Sequence, residues 1–281
     1  MKLKMKIING FSLMEYAERF GYVLPAFNTT NLEMTYAIAR GLNATHLPGY
    51  IQISSNNLRL SDPQIISDIT REALKNVDTP IALHLDHGQS FEDVKACIEA
   101  GFTSIMIDAS KLPYEDNIRE VRRTAEYCHL YGIPVEAELG MIGGKEDTAV
   151  NEADAKTDPD VVEEFVEKTQ CDLLAVSVGN VHGLNAEPNI DLPLLKRISE
   201  VSKVPLVLHG GSGIPFDVIR AARAYNLIKI NFGSDLRKAF IQTFGEAFVA
   251  DHNSHDVISL SLKSVENVSK EVQELVKAIN E

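Results

Sequence analysis

Eight short apolar runs rich in valine and isoleucine recur along the chain, and after a turn an amphipathic segment follows each of them. A strand followed by a helix, repeated eight times, is typical of an α/β TIM barrel, the closed (β/α)8 fold, in which helices surround a cylinder of parallel strands. An open, doubly wound sheet is the main alternative. The predicted strands are Tyr22–Asn28, Gly49–Ser54, Ile81–Asp86, Thr103–Asp108, Ile133–Leu139, Asp172–Gly179, Val204–His209 and Leu227–Gly233.

The segments around these repeats predict one barrel domain over residues 1–281. Residues 12–21 are predicted to form an additional helix that closes the bottom of the barrel, and residues 261–280 a C-terminal helix. Ser90, Asp158 and Pro215 each precede a predicted helix, as capping residues and helix-starting prolines do. No linker or low-complexity tract marks the start of a second domain.

Charge and apolar content restrict the partners of the chain. A formal net charge of −13 argues against nucleic acid or an anionic membrane surface as a partner. No stretch approaches the roughly 20 apolar residues of a membrane span, and the N-terminus has no secretory signal, so we expect a soluble, cytoplasmic protein. Cys97, Cys128 and Cys171 are odd in number and widely spaced, which predicts reduced packing residues.

One connection is longer than a barrel requires. Residues 140–157 separate the fifth predicted strand from its helix, whereas such loops usually have about two to six residues. This length predicts a mobile lid, with Gly143 and Gly144 as hinges. Lys145, Glu146 and Asp147 would then be able to swing over the site, although an ordinary solvated loop is the alternative.

Polar side chains interrupt the apolar runs at the C-terminal ends of the predicted strands. Barrel enzymes carry their reactive groups at that end, so these residues are the candidates for a site. They are Asn28, Ser54, Asp86 with His87, Asp108, Glu138, His182 just beyond the sixth strand, His209 and Asn231.

Three of the histidines follow the third, sixth and seventh predicted strands. His87, His182 and His209 are far apart in sequence, and only barrel closure would bring them together. Three neutral imidazoles around one cation, with a fourth position open, are the arrangement of a catalytic Zn²⁺ site. The alternative is that each histidine only hydrogen bonds at its strand end. His84 lies within the third strand, so we expect it to pack in the core or support a ligand.

Two further patterns accompany the histidines. Asp86 is placed to exchange a proton with a substrate hydroxyl, or alternatively to orient a histidine. The sequence His209–Gly213, "HGGSG", runs into a helix and so predicts a phosphate cradle of backbone amides, the alternative being a plain tight turn. Residues Asn231, Gly233 and Ser234 predict a second part of that cradle after the eighth strand.

Together these segments resemble the class II, metal-dependent ketose-bisphosphate aldolases, the family of the fructose- and tagatose-bisphosphate enzymes. The resemblance covers nearly the whole chain. The motifs that carry it are "GYVLPAFNTTNLEM", "IALHLDHGQSFEDVKACIEAGFTSIMIDAS", "IPVEAELGMIGGKED", "TDPDVVEEFVEKT", "LAVSVGNVHG", "VPLVLHGGSGIP" and "KINFGSDLRKAF".

The resemblance implies reversible cleavage of a ketose 1,6-bisphosphate to dihydroxyacetone phosphate and an aldehyde such as glyceraldehyde 3-phosphate. It implies that Asp86 is the proton donor and that Glu146 exchanges a proton with the carbon that becomes nucleophilic. It also implies a homodimer or homotetramer. The implied zinc ligands are His87, His182 and His209, and Asp108 and Glu138 match carboxylates linked to a second divalent or a monovalent cation. The implied substrate-binding residues are Asn28, Ser54, Gly183, Gly210, Gly211, Ser212, Asn231, Phe232, Gly233 and Ser234.

Two departures leave the distal end of the substrate open. Asn185 stands near the place where relatives often have a phosphate-binding lysine, and the C-terminal segment lacks a familiar basic stretch. Other phosphorylated keto-sugars or keto-acids are therefore alternative substrates. A metal-dependent hydrolase would need paired histidines on the first strand, which are absent. A Schiff-base aldolase using Lys229 and a non-catalytic sugar-phosphate sensor are the remaining alternatives.

Overall fold

In the computed structural model, eight parallel strands close into a barrel in the order β1-β2-β3-β4-β5-β8-β9-β10, with β10 paired to β1. The structure describes residues 7–146, 149–151, 155–184, 187–253 and 255–281, with backbone alone at 145, 146 and 149–151. The strands are β1 Leu24–Asn28, β2 Gly49–Ser54, β3 Ile81–Gly88, β4 Ser104–Ile107, β5 Val135–Leu139, β6 Gly144–Glu146, β7 Ala149–Asn151, β8 Leu173–Val176, β9 Leu206–Leu208 and β10 Leu227–Phe232. The predicted (β/α)8 barrel is thus confirmed.

Helices cover the outside of the barrel. They are α1 Gly10–Phe20, α2 Leu32–Thr45, α3 Pro63–Ala73, α4 Phe91–Ala100, α5 Tyr114–His129, α6 Val162–Thr169, α7 Leu192–Val201, α8 Phe216–Ala222, α9 Ser234–Ala250 and α10 Val257–Asn280. As predicted, Ser90 caps α4 through the backbone N–H of Asp93, and Asp158 accepts from Asp160 N at the start of a short 3₁₀ turn.

Two apolar cores follow from the alternation of strand side chains. The larger one lies between the strands and the surrounding helices, where the outward-facing strand residues meet the apolar helix faces. The smaller one fills the N-terminal end of the barrel interior, where Leu13, Met14 and Ala17 of α1 pack beside inward-facing strand residues such as Tyr50. The helix predicted to close the bottom of the barrel is therefore confirmed.

The C-terminal helix α10 packs along α2 and α9. Gly41 of α2 makes this approach close, because a Cβ at that position would lie 2.5 Å from a methyl group of Val272. At the end of α10, the Asn280 side chain accepts from Val23 N and donates to Val23 O, just before β1 begins. The predicted terminal helix is confirmed, and it starts four residues earlier than expected, at Val257 rather than Ser261.

The long connection after β5 contains regular structure. Strands β6 and β7 pair antiparallel, and a separate bridge joins Met141 to Ala155. Gly143 O accepts a hydrogen bond from His182 N, and Gly144 bridges to His182 in parallel orientation. Gly144 has φ +104° and no room for a Cβ beside the His182 backbone, so this proposed hinge is a packed contact in the structure.

The three cysteines are buried and unpaired in disulfides, as expected. Burial raises the pKa of each thiol: Cys128 and Cys171 to about 12, and Cys97 further still. Among the helices of the described residues, none combines the length and apolar character needed to cross a membrane.

Candidate active site

The end of β3 departs from regular strand geometry, and this places two adjacent side chains in one site. The segment Leu85–Gly88 faces the shorter segment Ile105–Ile107 of β4, and His87 has φ +46°, in the left-handed region. Adjacent side chains of a regular strand point to opposite faces. The bulge allows Asp86 and His87 to lie together, with His87 Nε2 4.0 Å from Asp86 Oδ1.

Asp86 is completely buried and is held by two amide groups. Asn28 Nδ2 donates to Asp86 Oδ2 at 2.8 Å, and Asn231 Nδ2 donates to Asp86 Oδ1 at 2.9 Å. Burial raises the pKa of Asp86, but the positive charges of His87, His209 and Lys229 outweigh burial and lower the pKa below its usual value. An ionised, oriented carboxylate of this kind is suited to accept a proton.

The three predicted ligand histidines converge at the mouth of the barrel. The ring centroids of His87 and His209 are 4.6 Å apart, those of His87 and His182 are 5.5 Å apart, and those of His182 and His209 are 6.1 Å apart. One nitrogen from each ring lies within 4.8 Å of the others, close enough to share a metal ion. Burial and the charges of His87 and His209 hold the pKa of His182 well below its usual value, which favours the neutral, metal-binding form.

Carboxylates behind two of these rings orient them. Asp108 Oδ2 lies 2.8 Å from His87 Nδ1, and Glu136 Oε1 lies 2.7 Å from His209 Nε2. Burial raises the pKa of Asp108, but the hydrogen bond and charge of His87, together with hydrogen bonds from Ser110, outweigh burial and hold the pKa well below its usual value. Such contacts leave the other ring nitrogen for a metal, as in many carboxylate–histidine–zinc sites.

The surroundings of His209 Nδ1 fit a cation. Burial and the charge of His87 lower the pKa of His209, but the carboxylates of Glu136 and Glu138 outweigh both and raise it to about 9. Within the described residues, Nδ1 of His209 and Oε2 of Glu138 are buried 3.2 Å apart, and neither makes a hydrogen bond. When a metal ion displaces the proton of His209, Nδ1 and Oε2 are both electron-pair donors, and one cation can satisfy them. A second grouping, His87 with Asp108 and Glu138, could also hold a cation.

A cavity opens beside the histidines between the ends of β1, β8, β9 and β10. Its glycines and the start of α9 offer backbone N–H groups, the usual means of binding a phosphate. Gly210 has φ +62°, and a Cβ there would collide with the Val181 carbonyl oxygen. The lining residues are Asn28, His182, Gly183, Gly210, Ser212, Asn231, Gly233, Ser234 and Arg237.

Three of the predicted substrate-binding residues do not line this cavity. Gly211 N donates to Asn231 O at 2.9 Å, and a Cβ at Gly211 would lie 2.8 Å from that oxygen, so this glycine permits a close loop contact. The ring of Phe232 is buried in the outer core, 5.9 Å from the ring of Phe27. Ser54 is buried at the end of β2, in register with Asp86.

Sequence reasoning missed four polar residues. Arg237 lies in the first turn of α9 and lines the cavity. In the sequence it is one charged residue among others of an amphipathic helix, and nothing marks it as facing a site. Gln52 and Glu136 lie two residues before Ser54 and Glu138, and are buried inside the barrel with Lys229 and His84. The sequence did contain a signal for Gln52 and Glu136. Side chains at every second position of a strand face the same side, so residues two before Ser54 and Glu138 also point into the barrel. Asn180 donates to the His209 carbonyl oxygen at 3.1 Å and supports that loop.

Two predictions concern side chains outside the described residues. The backbone of Lys145 and Glu146 belongs to β6, but their side chains, together with Asp147, lie outside the part that the structure describes. Asn185 also falls outside it. The roles predicted for Glu146 and for the region around Asn185 therefore stay predictions.

Comparison with known proteins identifies the family. The family model for class-II fructose-bisphosphate aldolase matches residues 9–281. A fructose-bisphosphate aldolase of Geobacillus stearothermophilus is 38% identical over 256 residues, which cover 90% of this chain and 89% of that protein. One from Staphylococcus epidermidis is 36% identical over 258 residues, covering 90% of each chain.

Solved structures share the fold. The YdjI aldolase of Escherichia coli K12 superposes with a TM-score of 0.83 at 30% identity, over 95% of each chain. The fructose-bisphosphate aldolase of Campylobacter jejuni superposes with a TM-score of 0.84 at 22% identity, over 99% of this chain and 96% of that one, which supports the barrel fold alone. On the strength of the family match and these relatives, the chain belongs to the class-II fructose-bisphosphate aldolase family.

Proposed function

We propose that this aldolase is zinc-dependent and reversibly cleaves a ketose 1,6-bisphosphate, of the fructose or tagatose series, to dihydroxyacetone phosphate and an aldehyde such as glyceraldehyde 3-phosphate. Residues 1–281 would act as one (β/α)8-barrel domain. The observation that carries the proposal is the convergence of three histidines beside the buried carboxylate of Asp86, next to a cavity lined by backbone amides. A metal-dependent carbon–carbon lyase acting on phosphorylated sugars uses these three elements together, the metal to stabilise charge, the carboxylate to move a proton and the amides to bind phosphate.

His87, His182 and His209 would hold the zinc ion, and Asp108 and Glu138 would orient ligands or bind a second cation. When bound there, Zn²⁺ supplies a Lewis acid that stabilises negative charge on a substrate ketone oxygen. Support comes from the shared spacing of the three ring nitrogens and from the unsatisfied His209 Nδ1.

Asp86 would take the proton from the substrate hydroxyl next to the carbon–carbon bond during cleavage and return it during condensation. The two amides of Asn28 and Asn231 fix both carboxylate oxygens, so the proton moves along a defined direction. Glu146 would exchange the proton at the carbon of dihydroxyacetone phosphate that becomes nucleophilic.

The cavity beside His182 would bind a substrate phosphate. Backbone N–H groups at Gly210 and at the start of α9 can donate to phosphate oxygens. Arg237 adds a guanidinium, and its Nη2 lies 2.8 Å from the position that a Cβ of Gly233 would take. An arginine can bind a phosphate through two parallel hydrogen bonds. Arg237 would also supply the local positive charge that a phosphate needs in a chain whose net charge is −13.

Replacing Arg237 by methionine tests this assignment. We expect the KM for the ketose bisphosphate to rise about 10-fold to 100-fold, while kcat changes little. A rise of this size is what the loss of one or two charge-assisted hydrogen bonds to the phosphate would cause. Steady-state cleavage kinetics provide the measurement. Lys238→Met, on the exposed side of the same helix, is the matched control and should keep the wild-type KM. An unchanged KM in Arg237→Met would remove Arg237 from the phosphate site.

The substrate is tested by measuring aldol cleavage of a panel of phosphorylated ketoses, each with and without a chelator. The panel includes the two C4 epimers, fructose and tagatose 1,6-bisphosphate, together with ketose monophosphates and phosphorylated keto-acids. We expect chelator-sensitive cleavage of a ketose 1,6-bisphosphate. If only monophosphates or keto-acids are cleaved, the proposed substrate is wrong, but the protein is still an aldolase.

A Schiff-base aldolase using Lys229 is a second candidate that the geometry disfavours. Lys229 is 1% exposed, and its amine lies 2.8 Å from Glu136 Oε2 and 2.8 Å from Asn231 Oδ1. An amine held in an ion pair has no lone pair for attack on a ketone. Borohydride reduction with substrate should leave Lys229 unmodified, and a covalent adduct at Lys229 by mass spectrometry would favour the Schiff base.

We also propose that the protein is a homodimer or homotetramer and resides in the cytoplasm. Exposed apolar side chains concentrate on α9 and the start of α10, where six residues are each more than half exposed: Ile241, Phe248, Val249, Val257, Ile258 and Leu262. A patch of this kind supports association of two copies. The buried, reduced cysteines suit a reducing compartment.

The double substitution Phe248→Glu/Ile258→Glu should convert the oligomer to a monomer, because it places charges within the apolar patch. Size-exclusion chromatography with light scattering measures the mass. Leu130→Glu, at an exposed apolar residue after α5, is the control and should retain the wild-type mass. A monomeric wild-type protein at micromolar concentration would contradict the proposal.

A further inference from the structure

A buried ion pair crosses the barrel interior beneath the proposed site. Lys229 of β10 and Glu136 of β5 are 1% and 0% exposed, and Lys229 Nζ lies 2.8 Å from Glu136 Oε2. His84 is also titratable and lies beside the pair, with Nε2 3.8 Å from the same carboxylate oxygen. Tyr50 lies at the same level, with its ring centroid 5.7 Å from Lys229 Nζ. Burying two charges is expensive, and apolar side chains of similar volume would often be at least as stabilising, so stability alone does not account for this pair.

The lysine end of the pair contacts the residue that holds Asp86. Lys229 Nζ donates to Asn231 Oδ1 at 2.8 Å, and Asn231 Nδ2 donates to Asp86 Oδ1 at 2.9 Å. A side-chain amide has one accepting end and one donating end. Because Lys229 can only donate, it selects the orientation in which the Asn231 oxygen faces Lys229 and the nitrogen faces Asp86.

A similar contact holds the other side of Asp86. Gln52 Nε2 donates to Asn28 Oδ1 at 2.9 Å, and Asn28 Nδ2 donates to Asp86 Oδ2 at 2.8 Å. Both amides therefore present their nitrogens to the carboxylate, each oriented by a donor one layer deeper. On the Asn231 side that donor is a charged group, which makes the stronger hydrogen bond.

The glutamate end of the pair contacts one of the proposed zinc ligands. Glu136 Oε1 accepts from His209 Nε2 at 2.7 Å, while Glu136 Oε2 faces Lys229. A proton fixed on Nε2 leaves Nδ1 of His209, the atom 3.2 Å from Glu138 Oε2, as the nitrogen that can bind a metal shared with the other two histidines.

We propose that Lys229 and Glu136 are positioning residues with separate tasks: Glu136 sets the ring of His209 for metal binding, and Lys229, through Asn231, sets the carboxylate of Asp86 for proton transfer. This inference rests on the proposed function, because it assumes a metal at the histidines and a proton-transfer role for Asp86. The ion pair connects the two tasks, since each partner neutralises the charge that the other needs in the barrel interior.

Two single substitutions separate the tasks. Glu136→Gln keeps the side-chain shape but removes the charge that fixes His209, so the Zn²⁺ dissociation constant, measured by competition with a chromophoric chelator, should rise about 10-fold to 100-fold. Lys229→Met keeps the stem and removes the donor to Asn231. At saturating zinc its kcat should fall about 10-fold to 100-fold, the scale of a misplaced reacting group, while zinc affinity stays within about threefold of wild type.

Breaking a buried ion pair on one side also destabilises a fold, so a double variant is required. Lys229→Met/Glu136→Gln leaves two neutral side chains of nearly the original shape and should fold with a Tm close to that of the wild type. We expect it to combine both defects, with weak zinc binding and a low kcat at saturating zinc. Tyr50→Phe is the matched control, because it changes the same level of the interior at a hydroxyl that makes no hydrogen bond among the described residues. It should keep wild-type zinc affinity and kcat.

The outcomes distinguish this inference from the proposed function. A folded double variant with wild-type zinc affinity and kcat would overturn the inference and leave the proposed function intact. The inference would also fall if Lys229→Met lost zinc affinity as strongly as Glu136→Gln and kept its kcat, since the tasks would then not be separate. A wild-type protein that neither binds zinc nor shows chelator-sensitive cleavage would overturn the proposed function, and this inference with it.

Discussion

Asp86→Ala is expected to lower the kcat for aldol cleavage by about 10²-fold to 10⁴-fold, the usual loss when a general acid/base is removed. The variant leaves the amides of Asn28 and Asn231 facing a gap, and no other carboxylate is hydrogen bonded to them among the described residues. Asp86→Asn, which keeps the shape but cannot accept the proton, should lose a similar factor. Steady-state cleavage at saturating zinc and substrate gives kcat for both variants.

Measuring the bound zinc of Asp86→Ala shows whether the variant is slow because the proton acceptor is missing or because the metal is missing. Asp86 is not among the proposed metal ligands, so Asp86→Ala should bind zinc as tightly as the wild type in chelator competition. Asp217→Asn, at an exposed carboxylate in the first turn of α8, is the control and should keep full activity. Near-wild-type turnover in Asp86→Ala would refute the role of Asp86. If the variant also kept its binding of sugar phosphates, the non-catalytic alternative would gain support.

Removing the metal is expected to lower turnover by about 10³-fold or more, because charge stabilisation by a Lewis acid contributes several kcal/mol and each factor of ten corresponds to about 1.36 kcal/mol. Dialysis against a chelator followed by cleavage assays measures the loss, and added Zn²⁺ should restore the activity. Removing a single proposed ligand should have a related effect. His182→Ala should bind zinc more weakly and need excess zinc for activity.

The control for this experiment is the same chelator presaturated with zinc, which should leave turnover unchanged. Full turnover of protein shown by elemental analysis to be free of metal would contradict the zinc proposal. In that case the borohydride experiment on Lys229 would become the decisive test of mechanism, since a Schiff base is the other known way to stabilise the same charge.

Local patterns were sufficient for the barrel. Each strand could be predicted from a short apolar run, and its end from the polar residue that interrupts it, because strand propensity and helix capping depend on neighbours in sequence. The boundaries differ by up to about three residues, as at β8, which ends at Val176 rather than Gly179. The connection after β5 was predicted as a loop, and the short strands β6 and β7 were missed because three-residue strands leave almost no periodic signal.

The candidate site was predictable only in part. Once a barrel is assumed, the strand-end histidines must lie near one another, and the structure places the three rings within 6.1 Å by centroid. The sequence could not show that the Asn231 side-chain oxygen accepts from Lys229 while its nitrogen donates to Asp86. These partners depend on which residues the register of neighbouring strands brings together in the barrel. Arg237 escaped notice because a helix position alone does not reveal which side faces a cavity.

The sequence by itself determined the alternation of strands and helices, the glycine turns, the helix caps and the types of residue at the strand ends, since these depend on interactions within a few residues. Only the tertiary structure decided which of those side chains meet. Closure of the barrel brings β3, β5, β9 and β10 to a common axis, and the bulge at His87 turns that ring toward His209. The contact of Glu136 with Lys229 joins residues remote in sequence, and it forms because closure of the barrel buries both charges side by side in an interior that excludes water.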